Sequence, residues 1–354
     1  MKPARSFLLC LAALSAAGST LAQAPAPAAS RHKLFPTAPA PAYVSPDTPQ
    51  GSGRFPAVME AESSLATHTI YRPADLAALG KEKLPVVAFA NGGCVNVGNR
   101  FRYFLSEIAS HGFLAIATGP MAPKEVESAL TSSVHRVAPA PGSPADLVKG
   151  QPQGEGNARP SQTTAKQLLD AVNWAIAENT RKGGKYEGRI DTGKVAVMGQ
   201  SCGGLQAIDA GHDPRVTTVG VWNSGTFPEQ GRSWTMAAAQ ADKADLKTLR
   251  VPVLYVSGEP ADVAYPNAED DFERIEAPVF RAWREQTGHL GTYQEPNGGA
   301  YGQVAAAWLQ WQLKGDQKAA RQFVGADCGL CTKPEWHVKS RGLGAAGTAK
   351  LVAK

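Results

Sequence analysis

The sequence predicts an α/β fold: a mostly parallel central sheet with helices on both faces. Short apolar runs alternate along the chain with stretches whose apolar residues recur at helical spacing, the pattern of strands joined by crossover helices. One such strand runs directly into a helix through a glycine-flanked serine, a junction that fits a strand-to-helix corner. With 354 residues, 43% hydrophobic and 19% charged, the chain can bury the core of one large domain or two small ones.

The first segment is read as lying outside that fold. Lys2 and Arg5 precede an apolar run from Phe7 to Ala17, and small residues follow up to Ala22-Gln23-Ala24. This is the pattern of a secretory signal peptide over residues 1–24. The run is shorter than the ~20 apolar residues that cross a bilayer, so no stable membrane span is expected. The expected location is exported, either periplasmic or extracellular. Residues 25–56, with "PAPAAS" and "PTAPAPAYVSPDTP", are too rich in Pro and Ala to bury enough apolar surface and read as an extended tether.

The folded domain is expected over residues 57–315. "HTIYRP" and "PVVAFA" read as strands, the second ending at Asn91-Gly92-Gly93-Cys94. Phe101, Phe104, Leu105 and Ile108 share one helix face, closed by Gly112. "FLAIAT" is the next strand. Residues 119–160 then interrupt the pattern with repeated Pro and Gly, and read as a flexible insertion. Leu168, Leu169, Val172 and Ile176 mark a second helix. "VAVMG", "VTTVGVW", "VPVLYVSG" and "APVFRAW" supply further strands, and "GQVAAAWLQWQLKG" a last helix ended by Gly315. Residues 316–354 read as a tail carrying Cys328 and Cys331. No internal repeat is found.

Charge excludes one class of partner. The formal net charge is +5, and loss of Lys2 and Arg5 with the signal lowers it by two. Lys and Arg are scattered and not interleaved with aromatics, so no nucleic-acid partner is expected.

The string Gly199-Gln200-Ser201-Cys202-Gly203 lies at the strand-to-helix corner. It matches Gly-x-Ser-x-Gly, in which a sharp turn lifts a serine hydroxyl above the sheet. A β-carbon at 199 or 203 would collide where the chain reverses so tightly. The string alone is a weak signal; the strand before it and the helix after it give it weight. A serine hydroxyl is a poor nucleophile at neutral pH, so it needs a base in reach and an acid to orient that base. Such sites order the three as serine, acid, histidine along the chain. Of the histidines after Ser201, His212 lies at the end of the following helix and reads as helix-end solvation, and His337 lies in the tail. His289, between Gly288 and Gly291, is the expected base. The expected acid is Asp262, in the loop after "VPVLYVSG". Glu259 is its nearest rival, while Glu269, Asp270 and Asp271 read as the start of a solvated helix. The backbone N–H of Cys202 and one from "FANGGCV", assigned to Gly93, are the expected oxyanion donors; an ordinary glycine turn is the other reading of Gly93. Trp222, Phe227 and Trp234 follow or end a strand and read equally as pocket wall or as core.

Together "NGGC", "LSEIASHGFLAIATG", "VAVMGQSCGG", "SGEPADVAYPN" and "GHLGTY" resemble the α/β-hydrolase superfamily, in particular secreted serine esterases akin to dienelactone-hydrolase-like and polyester-hydrolase-like enzymes. The likeness covers about Thr67 to Gly315. It implies the α/β-hydrolase fold and cleavage of a small-molecule or polymeric carboxylic ester through an acyl-enzyme on Ser201, with no metal or organic cofactor. An amide or thioester hydrolase on the same residues, or a silent binding protein on the same fold, are the alternatives. The chain departs from the family in its Asn91-Gly92-Gly93 loop and in the 119–160 insertion, so acyl and alcohol preference are not implied.

Four cysteines remain once Cys10 leaves with the signal, and an exported chain can oxidise them. If Cys202 and Gly93 face one oxyanion hole, Cys94 and Cys202 are neighbours, and either a disulfide or two buried thiols fits. Cys328 and Cys331 are read as a local disulfide clasping the tail, since a zinc site needs two further ligands and only His337 is near.

Overall fold

The computed structural model describes residues 45–124, 163–227 and 241–344. The signal segment, the tether up to residue 44, residues 125–160 of the expected insertion with the two residues after it, and Trp234 lie outside the described residues.

The chain forms a mixed α/β structure on one nine-stranded sheet. In chain order the strands are β1 (Ala57–Ala61), β2 (His68–Pro73), β3 (Leu84–Ala90), β4 (Leu114–Thr118), β5 (Ile190–Gln200), β6 (Thr218–Trp222), β7 (Val253–Gly258), β8 (Val279–Arg284) and β9 (Trp336–Arg341). Their order across the sheet is β1-β2-β4-β3-β5-β6-β7-β8-β9. The run from β4 to β8 is parallel, and β1, β2 and β9 add antiparallel edges. Strands β3, β4, β6 and β7 are buried at every residue, as parallel strands covered on both faces must be.

Five main helices cover the sheet: α1 (Arg102–Ser110), α2 (Ala165–Thr180), α3 (Cys202–Ala210), α4 (Tyr265–Arg274) and α5 (Gly299–Lys314). The period-two alternation of strand side chains divides the core into two layers. Val86, Ala88 and Val197 point into one layer with Leu168 and Val172 of α2, Leu205 and Ile208 of α3, and Phe272 of α4. Val87, Phe89 and Met198 point into the other with Phe104 and Ile108 of α1 and Trp308 of α5. Helix α2 starts at a capping box, in which Thr164 and Gln167 satisfy each other's backbone N–H groups. Gly315, in the left-handed region, ends α5.

The chain reverses its direction of travel across the sheet at β3. It steps outward from β3 to β4, then returns to place β5 on the other side of β3. The C-terminal ends of β3 and β5 therefore diverge into loops on opposite faces, which opens a crevice there. Gly93 follows β3 and Ser201 follows β5, so the fold itself brings these two segments together.

Three expectations are corrected. The last part of the tether is built into the domain: Ser52 donates to Glu107 through both its N–H (2.7 Å) and its hydroxyl (2.6 Å), and Phe55 is buried. The tail also belongs to the domain. Residues Trp336–Arg341 form β9 against β8, and Phe323, Cys328, Leu330 and Trp336 complete the core layer under α5. Asp271 is not a solvated helix residue. It lies on the inner face of α4 beside Ala268 and Phe272, fully buried. There its carboxylate accepts from the Thr226 N–H (2.7 Å), the Tyr255 hydroxyl (3.1 Å) and the Lys243 ammonium (2.7 Å). Burial pushes the Asp271 carboxyl up, against the opposing pull of Lys243. The periodicity of α4 assigns that face to the core, and donors waiting there make a buried acid tolerable.

Ending the chain at Gly315 should therefore remove structure and not merely a tail. Six buried residues leave the core, Ala319, Ala320, Phe323, Cys328, Leu330 and Trp336, the large apolar ones each contributing roughly 1.5–3 kcal/mol, and the edge of β8 is uncovered. Circular dichroism melting of the shortened chain should show a large loss of stability or no cooperative transition; a melting curve matching the full chain would contradict β9 as a sheet strand.

Candidate active site

Ser201 adopts φ 53° and ψ −120°, a strained backbone conformation for a residue with a side chain. The surrounding backbone imposes it. A β-carbon at Gly199 would stand 2.1 Å from the Gly203 carbonyl oxygen, and one at Gly203 would stand 2.1 Å from that of Ala90. The absence of both lets β5, the corner and the first turn of α3 pack against the end of β3. The Ser201 N–H is held by the Trp222 carbonyl of β6 (2.9 Å), which fixes the corner to the neighbouring strand.

Three side chains from distant segments meet at this corner. His289 Nε2 lies 3.0 Å from Ser201 Oγ, and His289 Nδ1 lies 2.7 Å from Asp262 Oδ1. Ser201 and His289 are half-buried, the His289 side chain 13% exposed, while the Asp262 side chain is 0% exposed. The carboxylate is thus shielded from water while the other two residues keep part of their surface.

Asp262 is oriented by a complete set of donors. Oδ1 also accepts from the Ala264 N–H (2.9 Å), and Oδ2 accepts from the Gly258 N–H (3.0 Å) and from Asn223 Nδ2 (2.8 Å). Burial alone would raise this carboxyl, but the charge and hydrogen bond of His289, with the Ala264 and Asn223 donors, hold it below the usual carboxylate range. It therefore stays ionised at neutral pH and can stabilise positive charge on the imidazole. Glu259, the rival acid, is placed elsewhere: its Oε2 accepts from the N–H groups of Thr287 (2.8 Å) and Gly288 (3.0 Å), next to the histidine but not on its ring.

Asn223 and Tyr293 are part of this network, and sequence reasoning missed both. Asn223 sits just past the end of β6 with φ 41°, fully buried. Its amide nitrogen donates to Asp262 and to the Gly288 carbonyl (3.0 Å), and its amide oxygen accepts from the Tyr293 hydroxyl (2.6 Å). A polar residue directly after an apolar strand, at the C-terminal end of a parallel sheet, was the available signal.

Gly93 has φ 67° and is exposed, on the one-turn helix Gly92–Cys94 after β3. Among the described residues neither the Gly93 N–H nor the Cys202 N–H donates to another backbone group outside a helix or strand. Cys202 opens α3, where the first N–H groups have no partner within the helix. The Cys94–Cys202 disulfide, with Cα atoms 5.3 Å apart, joins the two segments that carry these N–H groups. Cys328 and Cys331 are also disulfide-bonded, which removes them as thiolate ligands, and His337 instead stacks on Trp283 at 3.7 Å. Among the described residues no group of three or more His, Cys, Asp or Glu could hold a metal ion.

The remaining expected site residues fall outside the cluster. Trp222 is corrected from pocket wall to core: it is fully buried, edge-on to Phe104 and Tyr293 and tilted against Tyr301. Its place in the β-strand alternation turns it into the layer under α1 and α5. Phe227 is half-buried and packs against the opposite core layer. His212 ties the end of α3 to the 245–248 helix through the Asp245 carbonyl and the Thr248 hydroxyl.

No protein-family model matches the chain, and no curated protein matches it either.

Two outcomes test this geometry without any assumption about activity. Asn223→Ala leaves the Tyr293 hydroxyl, the Gly288 carbonyl and one Asp262 oxygen short of a partner, and should cost about 2–4 kcal/mol, read as a lower midpoint in urea unfolding. Peptide mapping of unreduced protein should recover Cys94 and Cys202 in one cross-linked peptide, and alkylation of both thiols before reduction would contradict the bond.

Proposed function

We propose that the protein is a serine hydrolase of the α/β-hydrolase type that cleaves carboxylic esters. The observation that carries this reading is the unbroken row Ser201–His289–Asp262, with contacts of 3.0 and 2.7 Å, at a strained strand-to-helix corner beside two N–H groups that, among the described residues, donate to no backbone acceptor outside a helix or strand. The order of strands, with the site at the sheet's point of reversal, supports the same fold type.

In this reading Ser201 Oγ attacks the ester carbonyl while His289 Nε2 takes its proton, and the resulting imidazolium is stabilised by ionised Asp262. The developing oxyanion is held by the N–H groups of Cys202 and Gly93, neither of which donates to a backbone acceptor outside a helix or strand among the described residues. The tetrahedral adduct expels the alcohol, which takes the proton from His289. Water then attacks the acyl-enzyme with His289 again as base, releasing the acid and restoring the hydroxyl. Each step moves one proton between an oxygen and the imidazole, and all the groups required come from the chain itself. The two disulfides, and the lack of any helix among the described residues long and apolar enough to cross a membrane, are compatible with an exported enzyme.

A fluorophosphonate probe should label the protein and fail to label Ser201→Ala. An unlabelled native protein would favour a binding role on the same fold. On a short p-nitrophenyl ester, His289→Ala should lower turnover by about a thousandfold or more. Asp262→Asn should lose far more activity than Glu259→Gln, and the reverse order would assign the acid to Glu259.

A further inference from the structure

The 287–289 segment is held by one side chain from the end of each of three neighbouring strands. Glu259, after β7, accepts from the Thr287 and Gly288 N–H groups; Asn223, after β6, donates to the Gly288 carbonyl; Gln200, the last residue of β5, donates from Nε2 to the His289 carbonyl at 3.1 Å. Gln200 differs from the other two in what its second amide atom does. Its Oε1 occupies the space beside Gly92, where a β-carbon built on that glycine would stand 1.8 Å from it.

Gly92 and Gly93 are therefore glycines for different reasons. Gly93 has φ 67°, in the left-handed region. Gly92 is not in that region, so its backbone alone would admit a side chain. The three atoms nearest to its missing β-carbon all belong to Gln200: Oε1 at 1.8 Å, Cδ at 3.0 Å and the backbone oxygen at 3.5 Å. A side chain at 92 would therefore meet Gln200 first, and the buried amide would have to leave its place to admit it. Gln200 is 1% exposed, and a buried amide that satisfies one loop while wedged against another fixes the separation of the two.

We infer that Gln200 is a positioning residue that sets the His289 segment and the Gly92–Gly93 turn in register, so that the imidazole and the Gly93 N–H address the same carbonyl group. This rests on the esterase reading above. The Cys94–Cys202 disulfide ties the Gly93 turn to the serine corner, and the His289 hydrogen bond ties the imidazole to the serine. Gln200 closes the third side, between the turn and the histidine segment. Misplacement of reacting groups by about 1 Å is enough to cost a hundredfold in rate.

The test is a mutant cycle. Gln200→Met keeps the length of the side chain but cannot donate to His289; it should lower kcat by about 10- to 100-fold while KM stays within about twofold. Gly92→Ala alone should lower kcat by a similar factor, because the new methyl group collides with the amide. In Gly92→Ala/Gln200→Ala the colliding side chain is gone, so kcat should be no lower than in Gln200→Ala alone. In Gly92→Ala/Gln200→Met it should fall below that of Gln200→Met. A Gln200→Met enzyme with native kcat, or an alanine double variant whose loss is the product of the two single losses, would overturn the inference. The same cycle read in melting temperature reports the contact without activity: Gly92→Ala should destabilise the native protein and not the Gln200→Ala variant. Fluorophosphonate labelling separates the two levels. A native protein that is neither labelled nor active defeats the esterase reading itself, whereas a labelled, active native protein with indifferent Gln200 variants defeats only the positioning role.

Discussion

The buried carboxylate of Asp262 is the interaction on which the site depends. An ionised group with no exposed surface is stable only when its lone pairs are met by donors, and here four donors converge on it from the ends of β6 and β7 and from the two loops that follow β7 and β8. Meeting that requirement fixes the backbone of those segments relative to one another. The placement of His289 over Ser201 follows from it: the imidazole can keep Nδ1 on the carboxylate only if Nε2 points at the corner.

Close backbone approach provides the other half of the constraint. The corner at Ser201 exists because Gly199 and Gly203 let a strand and a helix pack without β-carbons, and the end of β7 meets the histidine segment in the same way, at Gly258 against Gly288. These contacts lie on the C-terminal edge of a sheet whose strand order reverses there, so the crevice is a product of topology before any particular side chain enters it. Residues that occupy the crevice wall, such as Gln200 and Asn223, then serve two loops at once.

The residues that sequence reading missed share a physical cause. Asn223 and Gln200 hydrogen-bond to partners 39 to 89 positions away, and Gln200 also abuts Gly92, farther still along the chain; nothing in the local pattern of "VWNSG" or "GQSCG" names those partners. The buried Asp271 was misplaced for the same reason: acidity argues for solvent, and only the arrival of Lys243, Thr226 and Tyr255 at the inner face of α4 makes its burial tolerable. The ninth strand escaped because "WHVKSR" alternates with polar and charged residues, as an edge strand with one open face does.

By itself the sequence determined the elements whose cause is local. The apolar runs of β2 to β8, the helical periods of α1, α2 and α5, and the glycine-flanked corner all arise from side-chain period and from the steric need for a missing β-carbon, which act over a few residues. It also set the serine, acid and histidine candidates, because their order along the chain and their positions after strands are linear properties. Tertiary structure alone decided that the tail is a sheet strand, that Trp222 is core and that Glu259 holds backbone while Asp262 holds the imidazole. Those outcomes turn on which donors and acceptors meet across the crevice, and that is set by packing distance, which no spacing along the chain encodes.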